Sequence, residues 1–341
     1  MALPNSGPLS LNQIHVEAGG SSGSQASIND SDIRGLIGKG SGAQMSFNEW
    51  YGATNTVTVS QTISSSTNNY NIASSRPGTY SAGNTAFTLT VNPGVTIGTN
   101  STSSSSLTMG TPWSSGDTVT INNYGTLKGG GGGGGTGANS GFNSSNAANA
   151  GGSVNGAALT LTYPVTVGNY GSIYGGGGGG GGGGAQTESS TVGKLGSALA
   201  VSAGGGGGGA GVNAGGGGSG GPKNSPVATN NNAIGNSGAA GSANAGGSAG
   251  TGRASFGALS SQDMPNTQGG AGGGLGSNGA TGSKNNTPAP ISGNPPVPIA
   301  VNYNPGMNPR PAGSGGTRGY YISGNPYASW SPQGTVGGRS A

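Results

Sequence analysis

The sequence predicts a mainly β and irregular protein with a small helical N-terminal module, a β-rich connector, a bundle of polyglycine II helices and a short C-terminal β segment. Three observations lead to this prediction. Helix-start phrases are confined to the first 53 residues, apolar and hydroxyl residues alternate after them, and glycine then dominates the chain. The predicted boundaries follow these changes in composition, at 1–53, 54–128, 129–282 and 283–341.

The N-terminal module contains two possible capping boxes, Ser10 with Gln13 and Ser46 with Glu49, and a run of N-cap candidates at 29–32. Its apolar residues can form one small core. Because so small a core seldom folds alone, we expect this module to dock onto a partner. The docking candidates are Leu11, Ile14, Ile33, Leu36, Phe47 and Trp50.

Residues 54–128 have the pattern of half-buried strands. Apolar and hydroxyl side chains alternate at 56–59 and 87–91, and turn signals lie at 76–78 and 92–94. The segment is predicted to be a small β-sandwich or a β-prism-like fold.

An internal repeat introduces the glycine tracts. A strand, then Asn-Tyr-Gly, then a short aliphatic phrase precedes the tract at 129–135, and the same frame precedes the tract at 175–184. A flexible linker has no need of such a repeat, so an ordered structure is predicted. The recurring residues Tyr124, Tyr170 and Tyr174 are expected to cap the glycine bundle or stack on it.

Two interpretations of the glycine-rich region compete. Its composition is typical of flexible chains. However, glycine recurs at every third position over 270–282 and at most such positions over 235–250, which is the period of polyproline II geometry. Neither stretch contains proline, which excludes a collagen triple helix. An ordered polyglycine II bundle is the preferred interpretation.

Two resemblances to known families point to a bacteriophage virion. The phrases at 9–14, 28–39 and 46–52 resemble a short module found at the N-termini of tailed-phage structural proteins. The tracts over 129–282 resemble the glycine-rich adhesins at the distal tip of the long tail fibres of some T-even-like phages. That resemblance implies polyglycine II helices stacked in a sandwich, with connecting loops that carry receptor specificity. Residues 1–53 do not align with the fibre-attachment region of that family.

Receptor contacts are predicted where other residues interrupt the glycine-rich sequence, over 136–162, 222–234 and 253–268 and in the Pro-rich C-terminal segment. Exposed aromatic and aliphatic residues on loops are typical interface anchors. For Phe256, the alternative that it closes an edge of the bundle stays open. The candidates are Phe142, Asn146, Pro226, Phe256, Leu259, Met264, Tyr303 and Met307.

The C-terminal segment has two parts. Residues 288–311 hold eight of the 19 prolines and suit an extended covering segment. The aromatic and β-branched residues at 319–330 predict a final β hairpin.

Charge and composition argue against several function classes. The chain has no cysteine, one histidine and only seven acidic residues, so no catalytic, metal or cofactor site is predicted. A triad of His15 with Glu17 lacks the usual nucleophile context, and Asp30 and Asp32 suit helix capping better than calcium binding. The 11 basic residues are scattered, which argues against nucleic-acid binding. We expect synthesis in the host cytoplasm, without a signal peptide or transmembrane segment.

The predicted function is that of a non-enzymatic adhesin at the tip of a phage tail or tail fibre. Its expected partners are other tail or fibre proteins, through residues 1–53, and a host receptor that is an outer-membrane protein or a glycan. A homo-oligomer is left open. The alternatives are a purely structural fibre, collar or baseplate component, and an ice-binding or matrix protein, which leaves residues 1–53 unexplained.

Overall fold

The computed structural model describes residues 2–78, 80–138, 147–184, 187–192, 195–221, 235–256, 259–264, 268–283 and 311–341. It is mainly β, as the sequence predicts. The α-helices are α1 (Leu11–Glu17), α2 (Ser31–Gly35) and α3 (Ile72–Ser75), and 3-10 helices span Phe47–Trp50 and Asn325–Tyr327. Among the described residues, no helix has the length and hydropathy needed to cross a membrane.

Nineteen strands are found in the described residues. The first eleven are β1 (Val57–Ile63), β2 (Thr67–Asn68), β3 (Tyr70–Asn71), β4 (Thr85–Val91), β5 (Thr96–Gly98), β6 (Leu107–Thr108), β7 (Thr118–Asn123), β8 (Thr126–Lys128), β9 (Ala157–Thr160), β10 (Val165–Asn169) and β11 (Ser172–Tyr174). The others are β12 (Thr187–Val192), β13 (Leu195–Ser202), β14 (Gly252–Phe256), β15 (Leu259–Met264), β16 (Tyr320–Ser323), β17 (Ala328–Trp330), β18 (Thr335–Gly337) and β19 (Arg339–Ser340).

The chain divides into two compact units. The first contains 1–61, 76–88 and 112–120, and the second contains 62–75, 89–111 and 121–341. In the first unit, the N-terminal module has a core of its own in which Ile14, Ile33 and Trp50 are fully buried beside Leu3. Both predicted capping boxes are confirmed, at the start of α1 and at the start of the 3-10 helix at Phe47–Trp50.

A second cluster of the first unit is polar and aromatic. The buried Asp117 carboxylate accepts hydrogen bonds from the Tyr80 hydroxyl at 2.6 Å and from the Thr85 N–H at 3.0 Å. Burial and the hydrogen bond to Asp117 raise the pKa of Tyr80 above its ordinary value. The Arg76 guanidinium lies 3.9 Å from the centre of the Tyr80 ring and 4.8 Å from that of Trp113. The cluster fixes the segments that flank β4 and β7.

Fifteen of the strands form three five-stranded sheets through which the chain winds repeatedly. The sheet orders are β1-β4-β7-β10-β17, β2-β5-β8-β11-β18 and β3-β6-β9-β16-β19. In the second and third sheets every neighbouring pair is parallel. Each turn of the chain contributes one strand to each sheet, which makes a five-turn parallel coil.

The coil differs from two expectations. The sequence predicts a separate β domain ending at residue 128 and a C-terminal hairpin. Instead, the strands of 57–128 share their sheets with strands at 157–174 and 320–340. β16 pairs in parallel with β9 and β19, so it forms no hairpin with either strand. The period-two pattern identifies a strand but carries no information about a partner far along the chain.

An asparagine ladder joins successive turns of the coil. The Asn123 side-chain amide donates to Asn169 Oδ1 at 2.8 Å, and both residues are fully buried. The Asn169 amide in turn donates to the carbonyls of Gln333 at 2.6 Å and Thr335 at 3.1 Å. These asparagines belong to the repeated Asn-Tyr-Gly phrase, so the repeat marks stacked corners of the coil.

Replacing Asn169 with Ala is expected to destabilise the coil. The change removes the buried hydrogen bond between Asn123 and Asn169 and the two that Asn169 donates to carbonyls, and the Asn123 amide keeps only its contact with Ser172 O at 3.4 Å. Loss of such a buried side-chain partner costs about 1–3 kcal/mol. Urea denaturation measures the loss of unfolding free energy. Thr166→Ala, at an exposed position of β10, is the matched control. Equal stability of the two variants would exclude a structural role for the ladder.

The glycine-rich segments between coil strands are joined by hydrogen bonds that recur at every third residue. The N–H groups of Gly132 and Gly135 donate to the carbonyls of Gly177 and Gly180 at 2.9 and 2.8 Å. Ten segments of the described chain bond in this way, and we call them together the glycine bundle: 129–138, 147–156, 175–184, 203–211, 213–221, 235–242, 245–251, 268–275, 277–283 and 311–319.

Two segments occupy the centre of the glycine bundle. Segment 175–184 donates hydrogen bonds to 203–211, 277–283 and 147–156, and accepts them from 129–138, 268–275 and 311–319. Segment 203–211 likewise bonds to six neighbours. The pairings arrange the segments in three layers. The first layer contains 147–156, 129–138 and 213–221, and the middle layer contains 311–319, 175–184, 203–211 and 235–242. The third layer contains 277–283, 268–275 and 245–251.

Candidate functional site

The candidate site is one end of the glycine bundle, which we call the loop end. Segments that follow one another along the chain run in opposite directions, so the connections after odd-numbered segments lie at one end of the bundle and those after even-numbered segments at the other. Short turns follow 203–211, 235–242 and 268–275 at one end. At the other end, the loop end, the chain leaves the bundle in five longer connections, 139–146, 185–202, 222–234, 252–267 and 284–310.

Hydrogen bonds join the bundle residues next to these connections, which we call the root residues. The Ala138 N–H donates to Gly183 O at 3.0 Å, and the Gly221 N–H donates to Ala203 O at 2.8 Å. The Gly282 N–H donates to Gly313 O at 3.0 Å. Ala138 and Ala203 are also fully buried against each other in a small apolar contact. The described root residues are therefore fixed by backbone bonds and by this contact.

Two of the connections form one antiparallel sheet. Connection 185–202 contains β12 and β13, connection 252–267 contains β14 and β15, and the sheet order is β12-β13-β14-β15. β13 continues directly into the central segment 203–211, and β14 continues from 245–251. The Gly250 N–H donates to Gly205 O at 2.8 Å, so the bundle pairing leads into the β13–β14 pairing.

The structure places three of the eight receptor-contact candidates together. Phe256 ends β14, and Leu259 and Met264 begin and end β15. The other candidates, Phe142, Asn146, Pro226, Tyr303 and Met307, lie outside the described residues. Of the predicted loop at 136–162, residues 136–138 and 147–156 belong to the bundle and 157–160 to β9, so 139–146 is the connection that leaves the loop end.

Sequence reasoning missed the connection at 185–202. Its signal is the recurrence of the large apolar residues Leu195, Leu199 and Val201 at alternate positions between two glycine tracts, interrupted only by Ser197, which is the pattern of a strand. Tyr124 and Tyr170 differ from expectation in another way. Their rings stack on each other, with centroids 4.7 Å apart and planes 9° apart, and both are exposed at corners of the coil.

The N-terminal module is the second candidate site. Ile14, Ile33 and Trp50 are fully buried in its own core, and the Trp50 indole donates to Ile33 O at 3.0 Å. These three residues therefore cannot reach a partner in the folded module. Leu11 and Leu36 are half-buried, and Phe47 is 40% exposed, so these remain as surface candidates for docking.

Four charged residues of the module make contacts within it. The Arg34 guanidinium is buried and donates to the carbonyls of Gly40 and Ala43. Lys39 and Glu49 form an ion pair at 3.1 Å. The hydrogen bond from Lys39 lowers the pKa of Glu49. The Asp30 carboxylate accepts from the Ser27 N–H at 2.7 Å, before α2.

The only histidine does not complete a catalytic triad. His15 Nε2 lies 2.8 Å from Ser24 Oγ, but the Ser24 hydroxyl also donates to Ser21 O at 2.7 Å. The Glu17 carboxylate accepts from the Asn55 N–H at 3.0 Å. Among the described residues, no group of three or more His, Cys, Asp or Glu residues could hold a metal ion.

The surroundings of the Glu17 carboxyl predict that the stability of the module depends on pH. Burial alone would raise the pKa of this carboxyl, but hydrogen bonds, including that from the Asn55 N–H, outweigh burial and bring the pKa below its ordinary value of 4.5. Such a group contributes stability above pH 4.5, and the contribution is lost as the pH falls through the lower, folded-state pKa.

We therefore expect the module to lose stability between about pH 5 and pH 3, and Glu17→Gln to remove this part of the loss. Hydrogen exchange of the amides of α1 at pH 5 and pH 3, corrected for intrinsic exchange, measures the effect. Asp32→Asn, at an exposed position of α2, is the control. An unchanged pH dependence in Glu17→Gln would assign the loss to another group.

A family model matches most of the chain. The family model described as "Phage tail fibre adhesin Gp38" matches residues 54–341. The match begins one residue after the predicted end of the N-terminal module. No curated protein sequence matches the chain.

One solved structure resembles the chain weakly along its whole length. It is the crystal structure of the gp37-gp38 adhesin tip complex of the bacteriophage S16 long tail fibre. The identity is 17%, the match covers 99% of this chain and 100% of that chain, and the TM-score is 0.42.

The family match confirms the resemblance to glycine-rich tail fibre adhesins. It covers both the coil strands and every segment of the glycine bundle. Because the model spans most of the sequence, the chain belongs to the phage tail fibre adhesin Gp38 family.

Proposed function

We propose that the protein is the receptor-binding adhesin of a phage tail or tail fibre, and that its glycine bundle is a set of polyglycine II helices. This geometry has three residues per turn, so successive N–H groups are directed to three different neighbours. The observation that carries the proposal is the central segment 175–184, which bonds to six neighbours with a period of three residues.

The lack of room for side chains within the bundle supports the same geometry. A Cβ atom built at Gly176, Gly179 or Gly182 would lie 1.7–1.9 Å from a carbonyl oxygen of the neighbouring segment 129–138. Backbones that pack this closely bury polar groups, and mutual hydrogen bonds satisfy them. The bundle is thus held by backbone bonds in place of an apolar core, and it gives the five connections at the loop end a fixed base for receptor contact.

The N-terminal module is proposed to attach the adhesin to another tail or fibre protein. Support comes from its separate core, from the family match that starts after it, and from the exposed Phe47 ring beside Trp50. The protein would then be a non-enzymatic component of the virion. The receptor would be an outer-membrane protein or a glycan of the host surface.

The test uses purified, labelled full-length protein and intact host cells. We expect saturable binding, and we expect an excess of unlabelled protein to block adsorption of the parent phage. A folded sample that neither binds cells nor reduces adsorption would overturn the adhesin function. It would favour the second candidate, a purely structural virion component, for which the self-contained module at 1–53 is the supporting observation.

A further inference from the structure

Three successive turns of the coil carry Tyr124, Tyr170 and Gln333 at the same corner, and we call these residues the corner column. Tyr124 and Tyr170 are equivalent because β7 neighbours β10 before the corner and β8 pairs with β11 after it. Gln333 continues the column, since β17 and β18 pair with β10 and β11 at one constant offset along the chain. The column therefore places two aromatic rings and an amide at the strand spacing of about 4.8 Å.

The two rings of the corner column are exposed but held in place. Tyr124 is 43% exposed and Tyr170 55% exposed, and the rings stack with their centroids 4.7 Å apart. A Cβ atom at Gly168, within β10, would lie 2.9 Å from Cε2 of Tyr170, so the absence of a side chain there leaves room for the ring. Beneath the corner, the buried Asn169 amide bonds to the Gln333 carbonyl. The coil thus presents the column in a fixed position.

A row of hydroxyl groups runs beside the corner column, and we call it the hydroxyl row. Its members Thr126, Ser172 and Thr335 are direct register partners, each two residues after a member of the column. Leu127 and Ile173, which follow in the strands, are fully buried, so the row faces outward. Within the described part of the chain, neither the row nor the two tyrosines donate or accept a side-chain hydrogen bond. Each of these hydroxyls is therefore available to a ligand.

The surroundings of the corner column are polar but almost uncharged. Lys128 is the only charged residue of β8, β11, β18 and their corners. Its ammonium group already donates to Asn244 Oδ1 at 2.7 Å. An anionic ligand would therefore compete with a bond that exists, and a protein partner would meet two rings surrounded by hydroxyl and amide groups instead of an apolar core. A neutral ligand with both hydroxyl groups and C–H faces matches this composition.

We propose that the corner column and the hydroxyl row form a binding site for a neutral saccharide chain. The C–H face of a sugar ring packs on the exposed part of the tyrosine rings. The sugar hydroxyls exchange hydrogen bonds with the Gln333 amide and with the hydroxyl row. Two strand steps span about 10 Å, which suits a disaccharide unit of a longer chain.

The proposed saccharide site is separate from the five connections at the loop end. β8 and β11 lead into the ends of segments 129–138 and 175–184 that are opposite to the loop end. The protein would therefore have a second contact with the cell, and two linked contacts hold a surface more strongly than either one alone. This inference rests on the proposed adhesin function for the source of the saccharide, a glycan of the host surface.

The test is equilibrium binding of full-length protein to a labelled polysaccharide. The probe is the neutral fraction of the polysaccharide that mild acid releases from host cells. Tyr124→Ala and Tyr170→Ala are expected to weaken binding at least about tenfold. Tyr327→Ala removes a tyrosine that is 45% exposed in a 3-10 helix, and as the matched control it is expected to change binding less than about twofold.

Two further variants separate loss of contact from loss of structure. Thr335→Val removes an exposed hydroxyl of the row with little change in shape, and the loss of one hydrogen bond is expected to weaken binding about threefold. Tyr170→Phe keeps the ring and is expected to bind more tightly than Tyr170→Ala. Protection of the glycine amides at 175–184 from hydrogen exchange verifies that each variant is folded.

The outcomes distinguish the saccharide site from the adhesin function. If the unmodified protein binds cells but not the polysaccharide, or if Tyr170→Ala and Tyr327→Ala bind it equally, the saccharide site is wrong while the adhesin function stands. If the protein binds the polysaccharide through the column but does not reduce phage adsorption, the adhesin function fails and the site stands. If Tyr124→Ala and Tyr170→Ala bind the polysaccharide normally but are missing from virions, the column contacts another virion protein and the saccharide site is wrong.

Discussion

Alanine at Gly179 is expected to disrupt the glycine bundle. Its Cβ atom would lie 1.8 Å from Gly133 O and 2.5 Å from the carbonyl carbon of the same residue, distances that real Cβ atoms do not show. The segment cannot move aside, because the Gly179 N–H donates to Gly152 O and the Gly179 carbonyl accepts from the Gly316 N–H. We expect a loss of about 3 kcal/mol or more in unfolding free energy, measured by urea denaturation of the full chain.

Gly216→Ala is the matched control. Gly216 lies in the outer segment 213–221, it is exposed, and a Cβ atom there would meet nothing within 4 Å. Alanine restricts the unfolded chain, so this variant is expected to be as stable as the unmodified protein or up to about 1 kcal/mol more stable. Similar stability of Gly179→Ala and Gly216→Ala would mean that segment 175–184 is not surrounded by close backbone neighbours.

The second large effect is expected from Trp50→Ala in the N-terminal module. Trp50 is fully buried, and its indole donates to Ile33 O at 3.0 Å. Truncation of a buried tryptophan costs about 3–5 kcal/mol, which is a large fraction of what so small a core can supply. We expect the amides of α1 to lose protection from hydrogen exchange and, under the proposed attachment role, the variant to be missing from purified virions.

Phe47→Ala separates stability from docking. The Phe47 ring is 40% exposed and contacts Trp50 with its centroid 6.0 Å away, so its removal is expected to leave α1 protected. If the module docks through this surface, incorporation into virions still falls. Normal incorporation of both variants would exclude the module as the attachment point.

The sequence predicts those parts of the fold that depend on neighbours along the chain. Both capping boxes form, since a Ser side chain and a Gln or Glu three residues later need only local geometry. The repeated Asn-Tyr-Gly phrase likewise marks two equivalent corners of the coil. The glycine pattern depends on distant segments, yet it is visible in the sequence because positions that face a neighbouring backbone are glycine. Segment 175–184 has six neighbours and is glycine throughout, whereas outer segments such as 277–283 keep glycine at Gly279 and Gly282.

Features set by distant partners were not predictable in the same way. The glycine bundle is inserted into one coil twice, between strands β8 and β9 and between strands β11 and β16. The alternation of residues at 87–91 predicts a strand but gives no information about such insertions. The docking candidates show the same limit. Ile14, Ile33 and Trp50 are apolar because they form the module's own core, and the sequence does not distinguish such residues from residues that contact a partner. Phe256 was singled out by composition, but its partner Leu199 is identified only by the register of β13 and β14.

Hydrogen exchange of the glycine amides at 175–184 in the intact protein is the most direct measurement of the ordered bundle. Every described N–H from 177 to 183 donates to a neighbouring backbone carbonyl. We expect these amides to be among the slowest to exchange in the chain, slower than the exposed Gly216 amide. Exchange at the rate of an unfolded glycine peptide would contradict an ordered scaffold, and with it the fixed base proposed for the receptor-binding connections.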